Sequence, residues 1–141
     1  MTSFHWVRFM LLAAFCGAAL AAQNEPFANI ALHKQSGINY VSGGMTDEER
    51  KEMQRISNKY PMQLVFIAGD NQAPIKGVKV TVKDLKGSPQ IEAVADGPYF
   101  FFNPPSGRWI MDAEYNGEVV SRTIDLTGRR YMQLEFKFKG E

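Results

Sequence analysis

The chain has 141 residues, 45% hydrophobic and 12% aromatic, which is enough for one packed core and too apolar for a disordered tail. Its 16 Lys and Arg nearly balance 15 Asp and Glu, and no long basic run occurs. Without a basic excess to neutralise phosphates, nucleic acid is excluded as a partner class, and a single cysteine excludes an internal disulfide framework.

Residues 1–21 read as a secretory signal peptide. Met1–Arg8 carries one Arg, Phe9–Phe15 is an uninterrupted apolar stretch, and Ala19-Leu20-Ala21 is a small-x-small cleavage site. The apolar stretch is shorter than the ~20 residues a spanning helix needs. Cleavage is therefore expected after Ala21, with Ala22 the second choice, and no stable membrane insertion follows. Cys16 falls inside this segment, behind the bulky Phe15 rather than the small residue that lipoprotein processing would want. Processing removes the only thiol and leaves 15 basic against 15 acidic residues. The expected location is periplasmic or secreted, with stability drawn from packing and not from sulfur.

Residues 22–45 have mixed polarity with Pro26 and Gly37 as breakers, and read as an irregular N-terminal arm with a short strand near Ile38–Val41. His33 is the one histidine left after processing. It has no second His or Cys with which to build a metal site, so it reads as a surface residue. After the Ser42-Gly43-Gly44 elbow, residues 46–60 read as a short helix. Thr46 and Glu49 fit a capping box in which Thr46 accepts from the Glu49 N–H and Glu49 reaches back to the Thr46 N–H. Acidic residues crowd the first turn, while Lys51, Arg55 and Lys59 come later, as the helix dipole favours. Met45, Met53, Ile56 and Tyr60 form a sparse apolar stripe expected to pack over one end or open edge of a sheet. The helix should stop near Asn58, because Pro61 cannot continue it.

From residue 61 to 141 the apolar period becomes two. Met62, Leu64 and Phe66 mark a strand whose second face, Gln63, Val65 and Ile67, is also largely apolar, which predicts a central position or cover from the helix. After a turn at Gly69–Gln72, Val78, Val80 and Val82 alternate with Lys79, Thr81 and Lys83, giving a strand with one wet face. Gln90–Ala95 is a weaker strand, and Tyr99–Phe102 a short one with aromatics on both faces. Asn103–Gly107 is a proline-rich loop. Trp109, Met111, Ala113 and Tyr115 then alternate with Ile110, Asp112 and Glu114. Asn116-Gly117 is a strong two-residue hairpin signal, with Glu118–Leu126 as the returning strand. Met132, Leu134, Phe136 and Phe138 close the core. About seven closely spaced strands without intervening helices predict an all-β, antiparallel β-sandwich carrying one short N-terminal amphipathic helix.

Val78, Val80 and Val82, the Asp96-Gly97-Pro98-Tyr99 turn, the Pro104–Trp109 segment and the Tyr115-Asn116-Gly117 hairpin together resemble the carboxypeptidase regulatory-like domain, one of the transthyretin-like or prealbumin-like β-sandwiches. The resemblance covers roughly residues 62–139. With the elbow and acidic helix before it, the chain is similar to small exported Gram-negative bacterial proteins of unassigned activity. These motifs are turn and core residues, so they imply a fold and hardly a chemistry. Transthyretin-like hydrolases that open hydroxyisourate need histidines, an arginine and a Tyr-Arg-Gly-Ser terminus, whereas this chain ends Phe136-Lys137-Phe138-Lys139-Gly140-Glu141. Nothing supplies the zinc ligands of a metallocarboxypeptidase catalytic domain. The resemblance implies an accessory module, with no cofactor, no metal and no catalytic residue.

Reactive constellations are correspondingly thin. Asp112 and Glu114 share one strand face, but that face reads as wet, where a general acid would need a desolvated pocket. The Gly69-Asp70-Asn71 turn offers too few fixed oxygens for calcium, and no G-x-S-x-G or adjacent base activates a serine. The aromatic cluster around the proline loop is the remaining candidate, with core packing accounting for most of it. Tyr99, Phe101 and Trp109 are the candidate ligand-contacting residues. The expected function is a non-enzymatic exported module that binds a protein or cell-envelope component. A carbohydrate-binding module is the alternative, and a transthyretin-like hydrolase ranks third.

Overall fold

A computed structural model describes residues 30–128 and 131–140. The expected signal segment, its cleavage positions at Ala21 and Ala22, and Cys16 lie outside the described residues. In chain order the elements are β1 (His33–Gln35), β2 (Ile38–Gly43), α1 (Asp47–Ile56), β3 (Met62–Ala68), β4 (Ala73–Pro74), β5 (Lys79–Lys83), β6 (Pro89–Val94), β7 (Tyr99–Phe102), β8 (Arg108–Tyr115), β9 (Glu118–Asp125) and β10 (Met132–Phe138). Sheet A runs β1-β2-β7-β3-β10, with β4 also paired to β3, and sheet B runs β6-β5-β8-β9. The protein is an all-β sandwich with one short helix. All seven strands expected after Tyr60 are present, joined by β1, β2 and β4.

Two-residue periodicity builds the layer between the sheets. Met62, Leu64 and Phe66 of β3 and Phe100 and Phe102 of β7 are fully buried against Val80 and Val82 of β5 and Met111 of β8. Strand β7 divides its aromatics as expected. Phe100 and Phe102 enter this main core, while Phe101 joins Val41, Met53 and Tyr60 in a second cluster on the outer face of sheet A.

Three expectations are corrected. First, pairing is not antiparallel throughout, because β10 lies parallel to β3, with Met132 opposite Met62 and Phe138 opposite Ala68. The long path from β3 to β10 passes through sheet B twice, so the chain has ample length to re-enter sheet A in the same direction without a crossover helix. Second, the short strand expected near Ile38–Val41 is present within β2, but residues 33–43 around it are a hairpin on the edge of sheet A rather than an irregular arm, with His33 opposite Tyr40. Its turn is Ser36-Gly37 with φ of 51° and 75°, the paired left-handed geometry of a type I′ turn. Strand β2 then docks on β7, so Ile38 and Tyr40 reach the main core. Third, α1 covers the outer face of sheet A rather than an end or edge, because Val41 and Phe101 are apolar on that side.

The helix starts as its cap dictates. Thr46 Oγ1 accepts from the Glu49 N–H at 3.1 Å, but Glu49 Oε1 accepts from the N–H groups of Gly44 (3.0 Å) and Met45 (3.2 Å) rather than from Thr46. The elbow folds back over the first turn and offers those two donors. Met53 is fully buried and Tyr60 buried, whereas Met45 stands outside the stripe at 38% exposure. A short 3-10 turn, Ser57–Lys59, ends the helical run before Pro61.

The elbow is held by close backbone approach. A Cβ on Gly97 would fall 2.9 Å from Gly43 Cα and closer still to the Gly43 carbonyl, and a Cβ on Gly44 would fall 2.9 Å from Tyr99 Cε2. Gly97→Ala should therefore force the elbow off the β7 turn and destabilise the fold by about 1–3 kcal/mol, the usual cost of overpacking. Urea unfolding of the variant checks this, and a midpoint equal to wild type would contradict the close crossing.

Candidate functional site

The three candidate aromatics occupy two different surroundings. Tyr99 and Phe101 lie on the outer face of sheet A with ring centroids 6.0 Å apart; Phe101 is buried under α1 and Tyr99 half-buried. Trp109 belongs to sheet B, packs its half-buried ring against the main core, and donates its indole N–H to the Pro105 carbonyl at 3.0 Å. No solvent-facing plane of these three rings is formed. Periodicity assigns a residue to one face of its strand but does not say which layer that strand joins.

Tyr99 and Phe101 do help to wall a cleft of about 200 Å³ between α1 and sheet A. Met53, Gln54 and Ser57 contribute from the helical side, and Gln63, Tyr131 and Gln133 from the sheet. Antiparallel and parallel register together set Phe101, Gln63 and Gln133 in one row across β7, β3 and β10. Gln63 is 2% exposed, one of two buried polar residues among the described residues, and both ends of its amide are hydrogen-bonded. Its Nε2 donates to the Ser57 carbonyl at 2.9 Å and the Tyr60 carbonyl at 3.4 Å, while its Oε1 accepts from the Tyr131 hydroxyl at 2.8 Å. One side chain thereby ties the helix end, β3 and the approach to β10. Gln63, Tyr131 and Gln133 were not among the candidate residues. The legible signal was a lone glutamine in a strand otherwise apolar on both faces.

Other chemistry-bearing residues are engaged elsewhere. His33 is exposed and stacks on Tyr40 at 5.1 Å, and Tyr40 stacks on Phe100 at 5.4 Å. Among the described residues no three His, Cys, Asp or Glu side chains gather as metal ligands. Asp112 sits on the outer face of sheet B, 2.6 Å from Lys83 Nζ, and accepts from Ser121 Oγ at 2.6 Å. Burial pushes its carboxyl up, but the hydrogen bonds from Lys83 and Ser121 and the Lys83 charge outweigh it and hold the carboxyl below its ordinary value. A general acid would need the opposite shift. Glu114 is exposed beside it.

A second, wide-mouthed depression of about 1030 Å³ lies at the end of the sandwich where the β8–β9 hairpin meets the last residues of β3 and β10. Tyr115 and Phe138 form part of its floor, with ring centroids 5.6 Å apart.

No family model matches the chain. No curated protein matches it either. Among solved structures it is similar in part to BcpA, the major pilin subunit of Bacillus cereus, with 16% identity and a TM-score of 0.42. That likeness covers 54% of this chain and 28% of the pilin subunit's length. A second structure, S.CueP, is 16% identical with a TM-score of 0.39, over 85% of this chain and 86% of its own. At those scores neither likeness bears on what this chain binds.

Two outcomes follow from the hydrogen-bonded groups. Gln63→Leu takes the amide donor from the Tyr60 carbonyl, while the Ser57 carbonyl keeps the Tyr60 N–H and the exposed Tyr131 hydroxyl turns to solvent. It should cost about 1 kcal/mol in urea unfolding, with Tyr131→Phe costing less. For Asp112 the folded-state pKa is depressed. Its stabilisation is therefore present above about pH 4, where the unfolded carboxyl is ionised, and is lost as pH falls through the lower folded value. Lys83→Met should raise the Asp112 pKa toward the ordinary range and remove up to about 1 kcal/mol at neutral pH. Carboxyl resonances followed through an acid titration measure it.

Proposed function

We propose that the protein is an exported, non-enzymatic accessory module of the carboxypeptidase regulatory-like, transthyretin-like type, and that it holds a protein segment or cell-envelope component in the cleft between α1 and sheet A. The observation that carries this reading is the lining of the cleft. The half-buried ring of Tyr99, backed by the buried Phe101 and Met53, is combined with the amides of Gln54 and Gln133 at an exposed rim. Such a lining recognises by apolar contact and neutral hydrogen bonds. Among the described residues that line it there is no carboxylate, imidazole or amine to move a proton.

Further features bear on the reading. Export follows from the signal character of residues 1–21. Among the described residues no helix is long and apolar enough to cross a membrane. The family reading draws on the sequence resemblance at Val78, Val80 and Val82, the Asp96–Tyr99 turn, the Pro104–Trp109 segment and the Tyr115-Asn116-Gly117 hairpin, and the all-β sandwich is consistent with it. Strand β10 also pairs only with β3 among the described strands, so its other edge runs outward from the cleft wall at Gln133. An extended partner segment could add to that edge while one of its side chains enters the cleft.

The experiment is affinity capture from periplasmic and envelope fractions with the tagged processed protein, beside two variants. Gln54→Trp fills the cleft mouth from an exposed helix position, and Gln90→Trp adds the same bulk on sheet B. A specific component should be retained by wild type and Gln90→Trp and lost by Gln54→Trp. Equal capture by both variants would remove the cleft from the reading, and turnover of ester, peptide or glycoside probes would remove the non-enzymatic assignment.

A further inference from the structure

The depression at the sandwich end differs in chemistry from the cleft. Its floor combines the half-buried ring of Tyr115, backed by Phe138, with the small residues Ala68, Gly69, Ala73 and Gly140. Gly69 and Gly140 lie back to back, since a Cβ on Gly140 would fall 2.8 Å from Gly69 Cα. That part of the floor is bare backbone beside one aromatic face. Around it stand Asp70, Asn71, Asn116, Glu118, Lys137 and Lys139. A further depression of about 500 Å³ shares Tyr115, Asn116, Glu118, Lys139 and Gly140 and adds Gly117, so the two are one open trough centred on the hairpin.

We propose that this trough binds a neutral oligosaccharide chain, with a sugar ring on Tyr115 and its hydroxyls on the surrounding carboxylates and amides. Three observations select that chemistry. Among the described lining residues charge is balanced, with Asp70 and Glu118 against Lys137 and Lys139, so they favour neither a polyanion nor a metal ion. The rim is planar acceptor and donor groups, two carboxylates and two amides, which pair with adjacent hydroxyls rather than with apolar side chains. The trough is open rather than enclosed, and at about 1030 Å³ its main part is at or above the upper end of the ~300–1,000 Å³ typical of small-molecule sites. An open mouth of that volume admits several units of a chain ligand whose ends stay in solvent.

The frame is built from strand ends and not from loops alone. Gly69 N–H donates to the Phe138 carbonyl at 3.1 Å within sheet A, and Lys139 N–H donates to Glu118 Oε1 at 3.0 Å across the two sheets. Tyr115 and Phe138 bridge the same gap through their rings. The Asn116 and Gly117 turn, with φ of 50° and 81°, fixes how the hairpin presents its amide. This trough lies apart from the α1 cleft, and the inference stands independently of the function proposed there.

The test is an isotope-edited NMR titration of the processed protein with maltotetraose, N-acetylchitotetraose, anionic tetragalacturonate and an extended apolar peptide as separate probes. A neutral tetrasaccharide should shift the amides of Asp70, Asn71, Asn116, Gly117 and Lys139 saturably. The exposed double change Asp70→Ala with Asn71→Ala should weaken that binding about tenfold, the equivalent of losing one or two net hydrogen bonds, while circular dichroism stays unchanged. Tyr115→Phe should retain binding and Tyr115→Leu lose it. Gln54→Trp, which blocks the cleft, should leave it intact, separating this site from the other reading. The inference is overturned by no saturable shift with either neutral probe, by binding only of the anionic probe or the peptide, by shifts confined to the α1 cleft, or by binding that survives the Asp70 and Asn71 changes.

Discussion

Burial of β3 on both faces is the constraint from which the rest of the structure follows. Its inner side chains, Met62, Leu64 and Phe66, have no exposure and form the middle of the sandwich, while Gln63 and Ile67 on the outer face are also buried. A strand in that position needs neighbours on both edges and a cover on its outer side. Strands β7 and β4 share one edge and β10 takes the other. The cover comes from α1, whose Met53 joins Val41, Tyr60 and Phe101 beside the β3 row. Burying this apolar surface supplies stabilisation of about 25 cal/mol per Å² removed from water. With one cysteine in the sequence, no internal disulfide assists it.

Covering a sheet with so short a helix leaves the helix ends to be secured by polar groups. At the start, Thr46 and Glu49 satisfy three backbone donors, and Gly43, Gly44 and Gly97 let the elbow cross the β7 turn at backbone contact. At the finish, Gln63 takes up the Ser57 and Tyr60 carbonyls from below. A glutamine buried in a sheet would be costly if unpaired. Here it replaces a C-terminal cap, and its remaining oxygen accepts the Tyr131 hydroxyl. The cleft is the space left where this polar anchor holds the helix end above β3 and β10 instead of letting it collapse onto them.

Most of the fold was legible because its signals are local. Val80 and Val82 alternate with lysines and threonine over one strand, Asn116-Gly117 closes a hairpin, and Thr46 with Glu49 marks a helix start; each depends on residues a few positions apart. The parallel pairing of β3 with β10 was not legible, since nothing within either strand encodes direction relative to a partner 70 residues away. The β1–β2 hairpin escaped for another reason. Its turn needs a left-handed serine, Ser36 at φ 51°, where asparagine or aspartate would have announced it. Of the candidate aromatics, Tyr99 and Phe101 were assigned to a common face by their spacing, but Trp109 could not be separated from them without knowing which sheet each strand joins. The polar side of the cleft stayed hidden because Gln63 and Tyr131 meet only through the long-range register.

That same register sets where binding surfaces can form. Because β10 runs parallel to β3, the beginnings of both strands lie at one end of the molecule and their last residues at the other. Gln63 and Gln133, near the two beginnings, line the cleft; Ala68 and Phe138, at the two ends, line the trough. Five residues of strand separate the two places, about 17 Å at the usual rise. An antiparallel β10 would have carried Gln133 and Tyr131 away from Gln63 and brought Phe138 and Lys139 beneath α1. The helix end would then lose the hydroxyl that completes its anchor, and Tyr115 would lose the ring that backs it. One choice of strand direction, made by a long excursion through the second sheet, thus shapes both concave surfaces at once and gives each a different chemistry.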